Sequence, residues 1–476
     1  MSSNAGTVIN RTNQHSPFFN ALSSRNSKSI PELYSAENNS EPTAFSKVEV
    51  ETSSSVGYSR TVRCVLPRYG LLNKLYVHSS FGPGTHATIS GATHQIQSVP
   101  FIGAAFCSEY RLMYAGSVLA RLHPETIIAN LWKHGTQREK SKLVELLGAF
   151  ENIAAGTPSA GKFSASSTVA NKSRWAVGTG QDTGICEFYV PLDFWFSSKW
   201  SNNRPLDLSI LAGEVTLEMD IEASSNCFIL DGSSTTLPPI TNVSAICYLS
   251  EQEASTESAF RSLTYNMSSP LTQIAYDTDH IIAAGAIAHT YEVDTVIDIK
   301  LNAFQGLVQK LVVYVTEADN FATNRHRMRP LNIKEIQLKS TGSNIVNLDK
   351  LDEKEDILES YHNGGDFYGL AQTDYVGELI QMNPNNIHEL VFKRPYDFSP
   401  VSNTGAISLG QMSVPTLRIK MNGKEDYGFT YPTQHGYVGT ASGSKPLDVH
   451  VIAYYTTLIS YNTNSAGSTS IRQIMS

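Results

Sequence analysis

The sequence repeats three short motifs in the same order in its two halves. Residues 70–77 read GLLNKLYV and residues 306–313 read GLVQKLVV; PLDF at 191–194 is matched by PYDF at 395–398, and TLEM at 216–219 by TLRI at 416–419. Each match is short, but three matches in one order indicate an internal duplication. The chain is therefore predicted to contain two related domains of about 200 residues each, joined near 226–243.

The pattern of apolar, polar and turn residues in both halves is typical of β-sheet proteins. Val215, Leu217, Met219 and Ile221 alternate with polar residues, as expected for a strand that is buried on one face. Short runs of this kind, separated by turn residues, favour sandwiches or jelly rolls. The clearest predicted strands lie at 61–66, 75–78, 215–221, 293–301, 311–315, 417–421 and 449–457.

Helices are predicted only as insertions. Pro124 suits the first turn of a helix, and apolar residues then recur at helical spacing up to Trp132. A second helical pattern covers 142–153, and a shorter helix is predicted after Ser250.

Composition and charge narrow the classes of function. The chain has 36 Lys and Arg against 44 Asp and Glu, a net charge of −8. We expect no specific nucleic-acid binding, because such binding relies on clustered cations. The five cysteines include no C-x-x-C pair, which argues against a disulfide framework or a zinc site. We expect neither a signal peptide nor a transmembrane segment.

No pattern of catalytic or ligand-binding residues emerges. The segment 156–162 is similar to a phosphate-binding loop but lacks the Ser or Thr that should follow its lysine. His388 and Glu389 adjoin a predicted strand and are interpreted as ordinary surface residues. We therefore expect no catalytic, cofactor-binding or metal-binding residues, no cofactor and no enzymatic activity.

Two charged clusters are left with open roles. The acidic residues of 352–356 lack the spacing of a calcium-binding loop, so they are interpreted as a solvated loop. The basic cluster from Arg325 to Arg329 is either an exposed loop or a contact with an acidic subunit or packaged nucleic acid.

Five stretches resemble one protein family in the order in which that family carries them. They are LPRYGLLNKLYV at 66–77, IGAAFCSEYRLMYAG at 102–116, VPLDFWF at 190–196 with RPLDLSIL at 204–211, YLSE at 248–251 in the second half, and the segment 389–421. Together they resemble the double jelly-roll major capsid proteins of nucleocytoplasmic large DNA viruses, virophages and polinton-like viruses, with adenovirus hexon as a distant relative.

The resemblance implies an all-β fold of two tandem eight-stranded antiparallel jelly rolls with short helical insertions. On this basis we expect an extended arm at 1–45, a first jelly roll at 46–240 with a helical insertion at 124–153, a second jelly roll at 241–460 and a tail at 461–476. The arm is polar but carries isolated apolar residues, which favours a contact with a neighbouring molecule.

The same resemblance implies a structural function. We expect a viral major capsid protein, made in the host cytoplasm or nucleus, that forms homotrimeric capsomers. These would tile an icosahedral shell around a double-stranded DNA genome, together with minor capsid, penton or cement proteins. The alternative is a two-domain β-sandwich that binds carbohydrate or hydrolyses it, with Asp193 and Asp397 as the carboxylates to test. Their equivalent positions in the repeats favour a role at strand edges.

Two local predictions follow from the strands. Phe194 and Phe196 should lie in the first core while Trp195 faces a helix or the partner domain, because alternate residues of a strand point to opposite sides. Gly70 and Gly306 open matching strands, so each should adopt a backbone angle that a Cβ atom disfavours.

Overall fold

The structure is a computed structural model that describes part of the chain. The described residues are 44–82, 85–86, 95–98, 101–134, 146–147, 174–177, 181–182, 186–197, 205–230, 234–251, 271–283, 288–290, 295–317, 333–341, 343–349, 387–392, 406–421, 444–463 and 469–474. The arm before Ala44, the helix after Ser250, the two charged clusters, the segment 156–162 and Asp397 lie outside this set. Of the second predicted helix only residues 146–147 are described, and both are helical.

The first half of the chain supplies fifteen strands and three helices among the described residues. The helices are α1 (Ile102–Ala105), α2 (Pro124–His134) and α3 (Ser224–Cys227). The strands are β1 (Ala44–Glu51), β2 (Thr61–Val65), β3 (Leu71–Phe81), β4 (Thr85–His86), β5 (Gln95–Ser98), β6 (Cys107–Tyr114), β7 (Ser117–Leu122), β8 (Arg174–Val177), β9 (Gln181–Asp182), β10 (Cys186–Pro191), β11 (Leu206–Asp207), β12 (Val215–Ile221), β13 (Phe228–Leu230), β14 (Ser234–Thr236) and β15 (Ile240–Glu251).

The second half supplies the remaining described strands and a short 3-10 helix at Leu409–Gln411. The strands are β16 (Leu271–Ala283), β17 (Ala288–Thr290), β18 (Thr295–Lys300), β19 (Leu307–Glu317), β20 (Ile333–Ser340), β21 (Ser343–Asp349), β22 (His388–Val391), β23 (Ile407–Ser408), β24 (Thr416–Met421), β25 (Ser444–Thr463) and β26 (Thr469–Ile474).

The two halves build the same pair of sheets. In the first half the sheets run β1-β15-β3-β10 and β2-β12-β6-β7; in the second they run β16-β25-β19-β22 and β18-β24-β20-β21. Even the short strand β11, which pairs with β3, has a counterpart in β23, which pairs with β19. Two eight-stranded antiparallel sandwiches with this shared strand order are two jelly rolls in tandem. The predicted fold is confirmed.

Alternating burial explains why these segments form strands. In β12, Leu217 and Met219 are fully buried, while Thr216 and Asp220 are only partly buried. Glu218 points to the same side as these polar residues and is covered by Arg63 and Arg111, which form ion pairs with it. All the predicted strand runs fall on observed strands, and the helix predicted from Pro124 is α2.

The pairing of strand β15 bears on the predicted boundary between the two domains. Strand β15 pairs with β1 and β3, so its residues belong to the sheets of the first half. The YLSE motif at 248–251, assigned to the second half from the sequence, is the end of this strand. The domain ranges themselves stay a prediction, and we propose the division after Glu251 rather than at 240.

The two glycines of the repeated motif adopt the left-handed conformation, as predicted. Gly70 has a φ of 72° and Gly306 a φ of 95°. Each precedes the central strand of its jelly roll, β3 or β19, and a Cβ atom at such a φ would clash with the backbone. The two copies of the motif therefore share a backbone conformation as well as a similar sequence.

No described helix has the length and apolar character that crossing a bilayer requires.

We predict that Gly306→Ala lowers the free energy of unfolding by roughly 1–2 kcal/mol, because an alanine must adopt the left-handed conformation there. The matched control is Gly410→Ala, where the nearest atom to an added Cβ is 3.8 Å away and φ is not positive. Urea unfolding followed by tryptophan fluorescence measures both variants. Equal stability of the two variants would contradict the prediction.

Candidate functional site: the junction between the two jelly rolls

The outer face of the sheet β16-β25-β19-β22 is turned toward the first jelly roll. The register places His280 of β16 opposite Ile452 of β25, and Ile452 opposite Val312 of β19. Residues on this side, here called the junction face, are Tyr276, Thr278, His280, Lys310, Val312, Tyr314, His450, Ile452 and Tyr454. Val312, Tyr314 and Ile452 are buried and belong to the same apolar cluster as the core of the first half.

The turn after β10 contributes aromatic residues to this cluster. Phe194, Trp195 and Phe196 are all buried in it. Burial of Phe194 and Phe196 agrees with their predicted place in a core, and Trp195 is buried in the same cluster, which also contains residues of the second jelly roll. The alternation that should have separated Trp195 does not apply, because β10 ends at Pro191 and residues 195–197 form a turn.

Hydrogen bonds join the edge of the first jelly roll to β16. The backbone N–H of Arg121 in β7 donates to Asp277 Oδ1 at 2.6 Å, and the Thr278 hydroxyl donates to the Arg121 carbonyl at 2.8 Å. The Tyr276 hydroxyl donates to the backbone carbonyl of Asp193. The β7 edge and the turn after β10 are thus fixed against one strand of the second jelly roll.

Helix α2 contributes polar side chains to the same junction. The Tyr454 hydroxyl donates to Asn130 Oδ1 at 2.6 Å. Glu125 Oε2 lies 3.5 Å from His280 Nδ1, and both side chains are essentially inaccessible to solvent. Charged groups at such depth need partners, because an isolated buried carboxylate is strongly destabilising.

The His280 ring beside this carboxylate belongs to a cluster of three histidines and a tyrosine. His280 Nε2 and His450 Nδ1 are 3.2 Å apart and share a hydrogen bond. The His450 ring stacks on Tyr314 with centroids 4.4 Å apart, and the His123 ring meets the His280 ring edge-on at 5.6 Å. A bond between two imidazoles needs one protonated and one unprotonated nitrogen. The cluster therefore depends on at least one of these two rings being neutral.

A lysine ion pair completes the junction face. Lys310 Nζ lies 2.9 Å from Glu389 Oε1 and 4.4 Å from the centre of the Tyr454 ring. His388 and Glu389 were expected to be ordinary surface residues, and this expectation is wrong. Both are buried, since β22 is the sheet's fourth strand and pairs with β19: Glu389 lies opposite Val312 on the junction side, and His388 lies opposite Val313.

The side chains of this site pack against and hydrogen-bond one another. In the described part of the chain no group of three or more His, Cys, Asp or Glu side chains is arranged to hold a metal ion. Asp193 lies at the junction, and its proposed partner Asp397 is outside the described residues, so the carboxylate pair stays untested.

Four cysteines of the described residues are buried thiols. Cys64, Cys107, Cys227 and Cys247 are not in disulfides. Burial raises the pKa of Cys64 and of Cys247 to about 12. Thiols with such a pKa are protonated and poorly reactive at neutral pH.

Comparison with solved structures identifies the same fold in viral capsids. The chain matches the PBCV-1 virus capsid with a TM-score of 0.59 and 11% identity, over 90% of this chain and 97% of that one. It matches the Faustovirus major capsid protein with a TM-score of 0.57 and 10% identity, over 96% and 98% of the two chains. The match to the Sputnik virophage structure has a TM-score of 0.56 and 12% identity, over 91% and 88%.

These matches show a shared double jelly-roll fold across nearly the full length of the chain. No protein-family model matches the sequence, and no curated protein matches it significantly. The structural neighbours are thus viral capsid proteins, and the three named here are 10–12% identical to this chain in sequence.

We predict that Phe196→Ala lowers the free energy of unfolding by about 3–5 kcal/mol, because the large cavity would lie in the cluster that both halves share. Thermal unfolding of the purified variant measures the loss. An exposed aromatic residue, Tyr69, provides the control, and Tyr69→Ala should change stability little. Wild-type stability of Phe196→Ala would contradict the assigned position.

We predict that the His280–His450 hydrogen bond stabilises the junction. His450→Phe keeps a ring beside Tyr314 but removes the bond to His280 Nε2. The variant should be less stable than the wild type by about 1 kcal/mol, because a buried polar atom loses its partner. Urea unfolding measures the difference, and equal stability of the two proteins would contradict the prediction.

Proposed function

We propose that this chain is a structural major capsid protein. Three copies form a capsomer with six jelly rolls, and capsomers tile an icosahedral shell that encloses a double-stranded DNA genome. The observation that carries the proposal is the pair of jelly rolls with identical strand order in one chain, matched over 90% or more of its length by capsid proteins.

The physical form of the subunit supports this role. Two similar sandwiches joined by an apolar junction give one chain two similar wedge-shaped units. A closed ring of three such chains presents six units at its rim, which suits a hexagonal lattice. The proposal includes no enzymatic activity and no cofactor.

The proposed partners follow from assembly. They are two further copies in the homotrimer, neighbouring capsomers, and minor capsid, penton or cement proteins at vertices and seams. The proposed location is the capsid of the virion, after synthesis in the host cytoplasm or nucleus.

The experiment that tests the proposal is the mass of the full-length protein in solution, followed by electron microscopy of its assemblies. The chain has a mass of 52.1 kDa, so a trimer should have about three times that mass, near 156 kDa. Light scattering coupled to size exclusion should find this species, and negative-stain images should show six-sided capsomers or shells.

The carbohydrate-binding or glycosidase alternative predicts a different result. A stable monomer of about 52 kDa that binds or cleaves oligosaccharides would overturn the capsid proposal. Asp193→Asn provides the matched variant: it should abolish sugar hydrolysis under the alternative and leave capsomers unaffected under the proposal.

A further inference from the structure

The two jelly rolls carry equivalent sheet faces that the register aligns residue by residue. Gly70 and Gly306 precede β3 and β19, so Lys74 occupies the position of Lys310. Lys74 lies opposite Tyr248 of β15, just as Lys310 lies opposite Tyr454 of β25. The outer face of β1-β15-β3-β10, here called the matching face, is therefore the counterpart of the junction face.

Several positions of the two faces hold the same kind of residue. Phe45 corresponds to Tyr276, because these residues lie opposite Ser250 and Thr456 in the equivalent pairs of strands. The aligned pairs are Phe45 with Tyr276, Lys74 with Lys310, Ile246 with Ile452, and Tyr248 with Tyr454. At these four positions the duplication has kept the kind of side chain as well as the fold.

The two faces differ in what covers them. Tyr276 is 8% exposed and bonded to the first jelly roll, whereas Phe45 at the equivalent position is 81% exposed. Tyr454 packs against the cluster of the first half, whereas Tyr248 is 42% exposed and contacts Tyr76 edge-on at 5.6 Å. Within the described residues, the matching face carries large rings in solvent where its counterpart is buried. Exposed aromatic patches of this kind mark interaction sites.

The β7 edge of the first jelly roll, which packs on the junction face, has an equivalent edge in the second jelly roll. Arg121 of β7 meets Thr278, and the position equivalent to Arg121 is Asn347 of β21. The alignment follows from the register of the sheets. The equivalent residues Leu217 and Leu417 lie opposite Leu112 of β6 and Leu338 of β20, respectively. One residue before each of these leucines, β6 pairs with β7 at Arg121, and β20 pairs with β21 at Asn347. Asn347 and its neighbour Ile345 are exposed.

We propose that the matching face of one copy binds the β21 edge of the second jelly roll of another copy, and so repeats between chains the contact that joins the two jelly rolls within a chain. This inference rests on the proposed capsid function and specifies the surface through which the copies associate. The contact joins two different surfaces, so it leaves one free face and one free edge on a pair of chains, and a third chain closes the ring.

The charged residues of the matching face fit a contact that is made after folding. The Ser244 hydroxyl and the His78 ring hold the pKa of Glu49 below its usual range, so this carboxylate is ionised at neutral pH. The His78 ring also stacks on Tyr189 with centroids 4.6 Å apart. Glu49 and His78 Nδ1 thus have partners within the subunit, and the exposed rings of Phe45 and Tyr248 supply the apolar contact.

The first experiment replaces the most exposed ring. Phe45→Asp should keep the fold, because the side chain is in solvent, and should raise the apparent dissociation constant of the trimer at least about tenfold. The matched control is Val296→Asp on β18, which is also an edge strand and carries a 46% exposed apolar residue. Circular dichroism verifies folding, and light scattering against protein concentration measures association.

The second experiment links the proposed neighbours directly. Lys47 occupies the position of Thr278, so Lys47→Cys combined with Asn347→Cys should place two exposed thiols close together across the contact. A short bismaleimide should then give bands of two and three chain masses on a denaturing gel. Lys47→Cys with Lys300→Cys, another exposed strand residue, and the wild type are the controls and should give single chains.

The outcomes separate the inference from the function on which it rests. A trimer that persists with Phe45→Asp and gives no cross-link between residues 47 and 347 would overturn the proposed surface and leave the capsomer intact. A wild-type monomer would overturn both. If Phe45→Asp fails to fold, the cross-link decides alone, and a link confined to single chains would also refute the proposal.

Discussion

The second jelly roll depends on burying both faces of one sheet. The inner face of β16-β25-β19-β22 packs into its own core, and the outer face packs against the first jelly roll. Such a sheet can hold polar residues on its outer face only if partners meet them, because desolvation is costly. Glu125 faces His280, Asn130 accepts from Tyr454, and Glu389 faces Lys310. The relative placement of the two halves is therefore specified by paired polar groups as well as by apolar area.

Most of the fold could be predicted from the sequence because its signals are local or repeated. Alternation in β12, Pro124 at a helix start and glycines before matching strands each depend on a few neighbouring residues. The junction could not be predicted, since it joins His123, His280 and His450 through packing between domains. A signal was nevertheless present: within the run 449–457, Val451, Ile452 and Ala453 are apolar at successive positions, which is typical of a strand buried on both faces.

The surroundings of single side chains are harder to predict for the same reason. The strand alternation used for residues 194–196 stops applying where β10 ends at Pro191, and all three side chains are buried. His388 and Glu389 look like surface residues in a short polar stretch, but β22 lies beside β19 and is covered by the rest of the molecule. Whether a polar residue is buried depends on the neighbours that the topology places around it, and the sequence of a single strand does not reveal those neighbours.

The covalent link between the two jelly rolls has a thermodynamic consequence for the residues at equivalent positions. Groups in one chain meet at an effective concentration far above that of free subunits, so an internal contact can tolerate the desolvation of histidines and a glutamate. A surface that must recruit its partner from dilute solution has no such advantage. The position of His280, which is inaccessible to solvent at the junction, is held on the matching face by Glu49, whose side chain is 44% exposed. The covalent link between the jelly rolls is thus reflected in the different side chains of the junction face and the matching face.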